Sequence, residues 1–127
     1  MLPPRMGEMA QTPTVLVVDD DASIRLLCRV NLELDGYLVL EAQDVAEAER
    51  LILAESVDVV LLDVHVGPES GIDLMRTLRE RGIAPPVVLV TGSARLDAET
   101  RDEADGVVAK PFRLDELRNV VRRLTGR

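Results

Sequence analysis

Apolar residues in this chain follow two rhythms. Five short runs, at 14–18, 37–40, 57–63, 87–90 and 106–109, are rich in Val and Leu with almost no polar alternation. Unbroken runs of that length read as strands buried on both faces, the kind found inside a parallel sheet. Between them the spacing turns helical. Asp21 can cap a helix over 22–35 with Ile24, Leu27 and Cys28 on one face and Gly36 to end it. Asp44 opens a second with Val45, Ala48, Leu51 and Ile52 inward, and a third starts near Gly71 with Leu74, Met75 and Leu78. Leu114, Leu117, Val121 and Leu124 give the last helix a regular stripe. The stretch 93–105 is the weak one: Leu96, Ala98 and Ala104 offer little apolar surface against Asp97, Glu99, Arg101, Asp102, Glu103 and Asp105, so a helix there is expected to be short and poorly packed.

Strands alternating with helices predict an α/β fold, a doubly wound parallel sheet with right-handed crossovers. All strands of such a sheet deliver their carboxyl ends to one rim, where open sheets bind ligands. Here that rim collects Asp19 and Asp20 from the first strand, Asp63 from the third, Thr91 from the fourth and Lys110 from the fifth. Each has a bland reading alone. Asp ends strands for turn reasons, Thr is an ordinary strand former, and Lys at a strand end is usually solvated. Together they describe one reaction: carboxylates that repel unless a hard cation joins them, a nucleophilic oxygen, and a hydroxyl and an ammonium to hold a phosphoryl group. Mg²⁺ suits one or two carboxylates with water and a phosphate.

Composition narrows the class. The chain has 127 residues, 46% of them hydrophobic, enough for one domain over 14–125. A net charge of −8 disfavours nucleic acid or an anionic membrane as direct partner. A single cysteine, Cys28, in an apolar pattern reads as core, and with no disulfide framework the expected compartment is cytoplasmic. Residues 1–13, with three prolines and a glycine and no apolar run, are expected to be a disordered leader, not a signal peptide or span. His65 lacks a His or Cys partner for a transition metal, so its imidazole is expected to face solvent.

These residues resemble the receiver domains of bacterial two-component response regulators, of CheY-like type. The likeness rests on the Val-Leu-Val-Val-Asp-Asp-Asp stretch at 15–21, Leu62-Asp63 with Gly71 eight positions on, Thr91-Gly92, and Lys110-Pro111-Phe112. The resemblance implies five strands in the flavodoxin-like order 2-1-3-4-5 flanked by five helices, with a cis bond before Pro111. It implies Asp63 as phosphoacceptor, Thr91 as switch hydroxyl and Lys110 as the ammonium that holds the phosphoryl group. Mg²⁺ would be bound by Asp20, Asp63 and the backbone carbonyl of His65, with Asp19 in support. The donor would be a phosphohistidine on a histidine kinase or phosphotransfer protein, and the output a changed surface for a downstream protein. The chain would be no conventional enzyme, yet would catalyse its own phosphorylation and dephosphorylation.

Two positions depart from the family pattern. Gly67 stands four residues after Asp63, where a proline is usual, with Pro68 one later. Val107, three residues before Lys110, stands where relatives carry an aromatic ring that turns inward. The alternatives are a phosphorylation-independent binding module of the same fold and an aspartyl phosphatase, for which nothing here supplies a cap domain or a second acid two residues after Asp63. A dinucleotide site fails because three aspartates stand where pyrophosphate would lie.

Overall fold

The computed structural model describes residues 12–83, 85–92 and 96–126. Five strands form one parallel sheet: β1 (Thr14–Val18), β2 (Leu38–Ala42), β3 (Val59–Asp63), β6 (Val87–Thr91) and β7 (Gly106–Ala109). A small antiparallel hairpin, β4 (His65–Val66) with β5 (Glu69–Ser70), fills the loop after β3 and turns at Gly67, whose φ is 60°. The sheet order β2-β1-β3-β6-β7 is the expected 2-1-3-4-5 once the hairpin is set aside.

The helices are α1 (Ala22–Leu34), α2 (Val45–Ala54), α3 (Gly71–Glu80), α4 (Ala98–Glu103) and α5 (Leu114–Thr125). Alternate residues of each strand face opposite layers, which explains the lack of polar alternation in the sequence. Val15, Val17, Val59, Leu61, Val88 and Val90 pack with Cys28 and Leu32 of α1 and with Leu117 and Val121 of α5. Leu16, Val18, Val60, Leu62 and Leu89 pack with Ala48 and Ile52 of α2 and with Leu74, Met75 and Leu78 of α3. Fully burying a Val, Leu, Ile or Met side chain stabilises the fold by about 1.5–3 kcal/mol. The two layers fix the sheet, and the sheet fixes its rim.

Three helix starts are capped by side chains, two of them, Asp21 and Asp44, as expected and the third by Ser70, which sequence alone did not single out. Asp21 accepts from the N–H groups of Ser23 and Ile24, Asp44 from Glu47, and Ser70 from Asp73. Boundaries move at two strands. β2 begins at Leu38 because the Tyr37 N–H is bonded to Leu32 O, at the end of α1, and β2 runs on through Glu41 and Ala42, which pair with Val17 and Val18. β3 begins at Val59, and Asp58 instead ties the start of β1: its carboxylate accepts from the Thr14 N–H at 2.7 Å.

α4 spans six residues. Its apolar contacts with the α2/α3 layer are few: Leu96 and Ala104, beside Val107 of β7, are only partly buried. Charge does the rest. Arg76 of α3 makes a two-pronged pair with Glu103 and donates to Thr100 at 3.1 Å, while Arg79 pairs with Asp105 at 2.6 Å. The second Asp105 contact is with the Val87 N–H, at 2.8 Å.

The expected leader lies outside the described residues except for Thr12 and Pro13, and Pro13 is buried with its carbonyl accepting from Leu38. Residues 93–95 of the weak stretch, and Arg127, are also outside them. Among the described residues no helix is long and apolar enough to cross a membrane.

Candidate phosphoacceptor site

β1 and β3 lie side by side, with Val18 opposite Leu62, so their last residues leave the sheet together. Asp19 continues β1 by donating its N–H to Ala42 O at 3.1 Å, and its Oδ1 accepts from the Asp21 N–H at 2.9 Å. Of the three consecutive aspartates, one caps α1 and two remain for the rim. Asp19, Asp20 and Asp63 each offer an oxygen to a single cluster in which these atoms lie within 4.8 Å of one another. Asp19 and Asp63 are buried and Asp20 is exposed, so the cluster opens outward on the Asp20 side.

Lys110 reaches in from the far side of the sheet. Its backbone N–H donates to Thr91 O at 2.7 Å, extending the β6–β7 ladder by one residue. Its Nζ then donates to Asp19 Oδ2 at 2.9 Å and to Asp63 Oδ2 at 3.0 Å. The Lys110–Pro111 peptide bond is cis, as the family resemblance implied. Thr91 is buried at the end of β6, one residue beyond Val90, which is opposite Asp63. The His65 N–H donates to Asp63 Oδ1 at 3.3 Å, bringing the His65 backbone against the carboxylate while its side chain is exposed.

Gly71 explains how α3 starts so near the rim. Its N–H donates to Val64 O at 2.8 Å, and a Cβ at this position would overlap the backbone carbonyl oxygen of Asp63. No side chain larger than hydrogen allows that approach without moving Asp63.

Electrostatics follow from placement. Burial raises the Asp63 pKa above the ordinary carboxylate value and the Asp19 charge raises it further, while the Lys110 hydrogen bond acts against both. Burial also works against the charge on Lys110, but its two carboxylate partners outweigh burial and raise its pKa. One ammonium facing three carboxylates leaves excess negative charge at the rim. A small, mostly apolar cavity lined by Ile24, Cys28, Leu61, Phe112 and Leu117 also has Asp19 and Asp63 in its wall. Burial in that layer pushes the Cys28 thiol up to about 11, so it is an inert core group.

Every candidate residue named from sequence is therefore at one rim, and the structure adds Arg25. From the first turn of α1 its Nη1 donates to the backbone carbonyl of Asp19 at 2.7 Å and its Nε to Glu41 Oε1 at 3.2 Å. The available signal was the spacing, since a residue four after Asp21 lies one turn above a helix start that faces the rim.

The response regulator receiver domain family model matches residues 15–122. The transcriptional regulatory protein KdpE of Mycobacterium tuberculosis is 41% identical over 120 residues, covering 87% of this chain and 52% of that protein. The chain thus spans about half the length of the curated relatives it matches. Among solved structures, the receiver domain of the Francisella response regulator 1452 superposes with a TM-score of 0.85 at 31% identity, covering 91% of this chain and 98% of that one. The Thermotoga maritima response regulator TrrA, determined in complex with Mg²⁺ and BeF, superposes with a TM-score of 0.80 at 30% identity, covering 89% and 99%.

Proposed function

The chain belongs to the response regulator receiver domain family, and from that premise we propose that it takes a phosphoryl group onto Asp63 and changes its binding surface in response. The observation that carries this reading is the Lys110 ammonium bonded to both Asp19 and Asp63 where Asp20 completes the cluster. The donor is a phosphohistidine on a histidine kinase or phosphotransfer protein. A carboxylate oxygen of Asp63 attacks phosphorus, the bond from phosphorus to the imidazole nitrogen breaks with its electron pair going to nitrogen, and an acyl phosphate results.

The donor set fits a hard divalent ion: clustered carboxylate oxygens, two of them buried, with excess negative charge. Mg²⁺ would be held by Asp20 and Asp63 with the His65 carbonyl, and Asp19 in support, and would supply charge neutralisation for the phosphoryl oxygens. Lys110 trades its bond to Asp63 for a bond to a phosphoryl oxygen while keeping Asp19. Thr91 donates its hydroxyl to a second oxygen. Attack by water on the same phosphorus returns Asp63.

A protein partner is supported by α1, which starts at the rim and exposes Leu26, Leu27, Val30 and Leu34. The net charge of −8 argues against nucleic acid as a direct ligand of this domain. A cytoplasmic location goes with that donor. Incubation with a small phosphodonor, with and without Mg²⁺, followed by intact mass measurement tests the reading. One phosphoryl group should be gained only with Mg²⁺ and not in Asp63→Asn. A chain that stays unmodified under all conditions is the phosphorylation-independent binding module instead.

A further inference from the structure

We infer that Arg25 is a positioning residue for the divalent-ion site, acting by fixing the peptide that joins Asp19 to Asp20. This rests on the reading of the carboxylate cluster as a Mg²⁺ site. Two of the three carboxylates are held by their own oxygens: Asp19 by Lys110 and the Asp21 N–H, Asp63 by Lys110 and the His65 N–H. Asp20 differs. Among the described residues no hydrogen bond or ion pair holds its carboxylate, yet that carboxylate lies in the cluster. Its direction is therefore set by the backbone on either side of it.

On the carboxyl side, the Asp21 cap and the first turn of α1 fix the chain. On the amino side, the Asp19 carbonyl, one residue past β1, is taken by Arg25 Nη1 at 2.7 Å. The guanidinium is itself braced: its Nε donates to Glu41 Oε1, the other Glu41 oxygen accepts from Arg29 Nη1 at 2.9 Å, and Arg29 also pairs with Glu33. Only 15% of the Arg25 side chain is exposed. A planar fork that meets two acceptors at once orients a peptide plane in a way a rotatable ammonium does not.

The alternative is that Arg25 serves only as positive charge near an acidic rim, and the two roles have opposite signs. Removing a nearby cation alone should tighten Mg²⁺ binding, whereas losing orientation should loosen it. Mg²⁺ titrated calorimetrically into the full chain separates them. For positioning, affinity should fall in the order parent, Arg25→Lys, Arg25→Gln, with the Gln variant about tenfold weaker, as is usual for groups that orient metal ligands. At limiting Mg²⁺ the Gln variant should accept phosphoryl from a small donor more slowly than the parent. Equal or tighter Mg²⁺ binding by Arg25→Gln overturns the inference. If Arg25→Gln does not fold, Arg25→Lys decides it: the charge is kept and the fork lost, so weaker binding supports positioning and unchanged binding overturns it. A parent that binds no Mg²⁺ overturns the metal site itself, and this inference with it.

Discussion

Two regions of this molecule meet at Thr91 and are held by different forces. The β1–β3 half is enclosed by apolar layers: Val15, Leu16, Val59, Val60 and Leu62 are fully buried. The 96–105 stretch has a six-residue helix with Thr100 as its buried residue, tied to α3 by Arg76–Glu103 and Arg79–Asp105. Apolar burial is cooperative and insensitive to salt, whereas exposed ion pairs are weak and screened. The proposed function divides along the same line. Phosphoryl chemistry needs carboxylates held still, and signalling needs an element that can be displaced. Val107 sharpens the contrast, because this small side chain, like Leu96 and Ala104, is only partly buried against the core.

The contrast can be broken at its strong end first. Leu16→Ala should cost about 2–5 kcal/mol, read as a lower denaturant midpoint with all probes moving together. Gly71→Ala should cost about 1–3 kcal/mol through overpacking, and because the new methyl pushes on Asp63 it should also slow phosphorylation by a small donor. Mg²⁺ at ten times its dissociation constant should stabilise the fold by about 1.4 kcal/mol and raise Tm by a few degrees, an effect lost in Asp20→Ala.

Asp63→Asn should stabilise the metal-free protein at neutral pH. The folded Asp63 pKa is raised above its unfolded value, so its ionised form opposes folding at neutral pH. That penalty fades as pH falls through the folded pKa, so parent and variant melting points should converge in acid. A variant less stable than the parent at neutral pH would contradict the repelling cluster. The smallest effect belongs to the weak end. Arg76→Ala should leave the global melt nearly unchanged while speeding amide exchange in 97–104, and added salt should narrow the difference.

Most of the fold was legible because a parallel sheet buried on both faces leaves unbroken apolar runs, and β1, β6 and β7 are where those runs fall. The rim residues were legible because strand ends in such a sheet converge. Glu41 hid the end of β2: a charged residue in a strand looks like a terminator unless its partners, Arg25 and Arg29 of α1, are known. Arg25 was hidden for the same reason, since its acceptors are a backbone carbonyl and a residue 16 positions away. The Arg76–Glu103 tie spans 27 positions, and periodicity reports apolar faces, not distant charge pairs.

The central claim, that phosphorylation is received in the apolar half and expressed in the charge-held stretch, is tested most directly by hydrogen exchange. The protein would be compared alone and with Mg²⁺ and beryllium fluoride as an unreactive mimic of the acyl phosphate. The account expects protection to rise in 96–105 while β1, β2 and β3 beyond their rim residues stay unchanged, with the gain reduced in Thr91→Ala. Protection in 96–105 that is already high and does not change, while the mimic demonstrably binds, would contradict it.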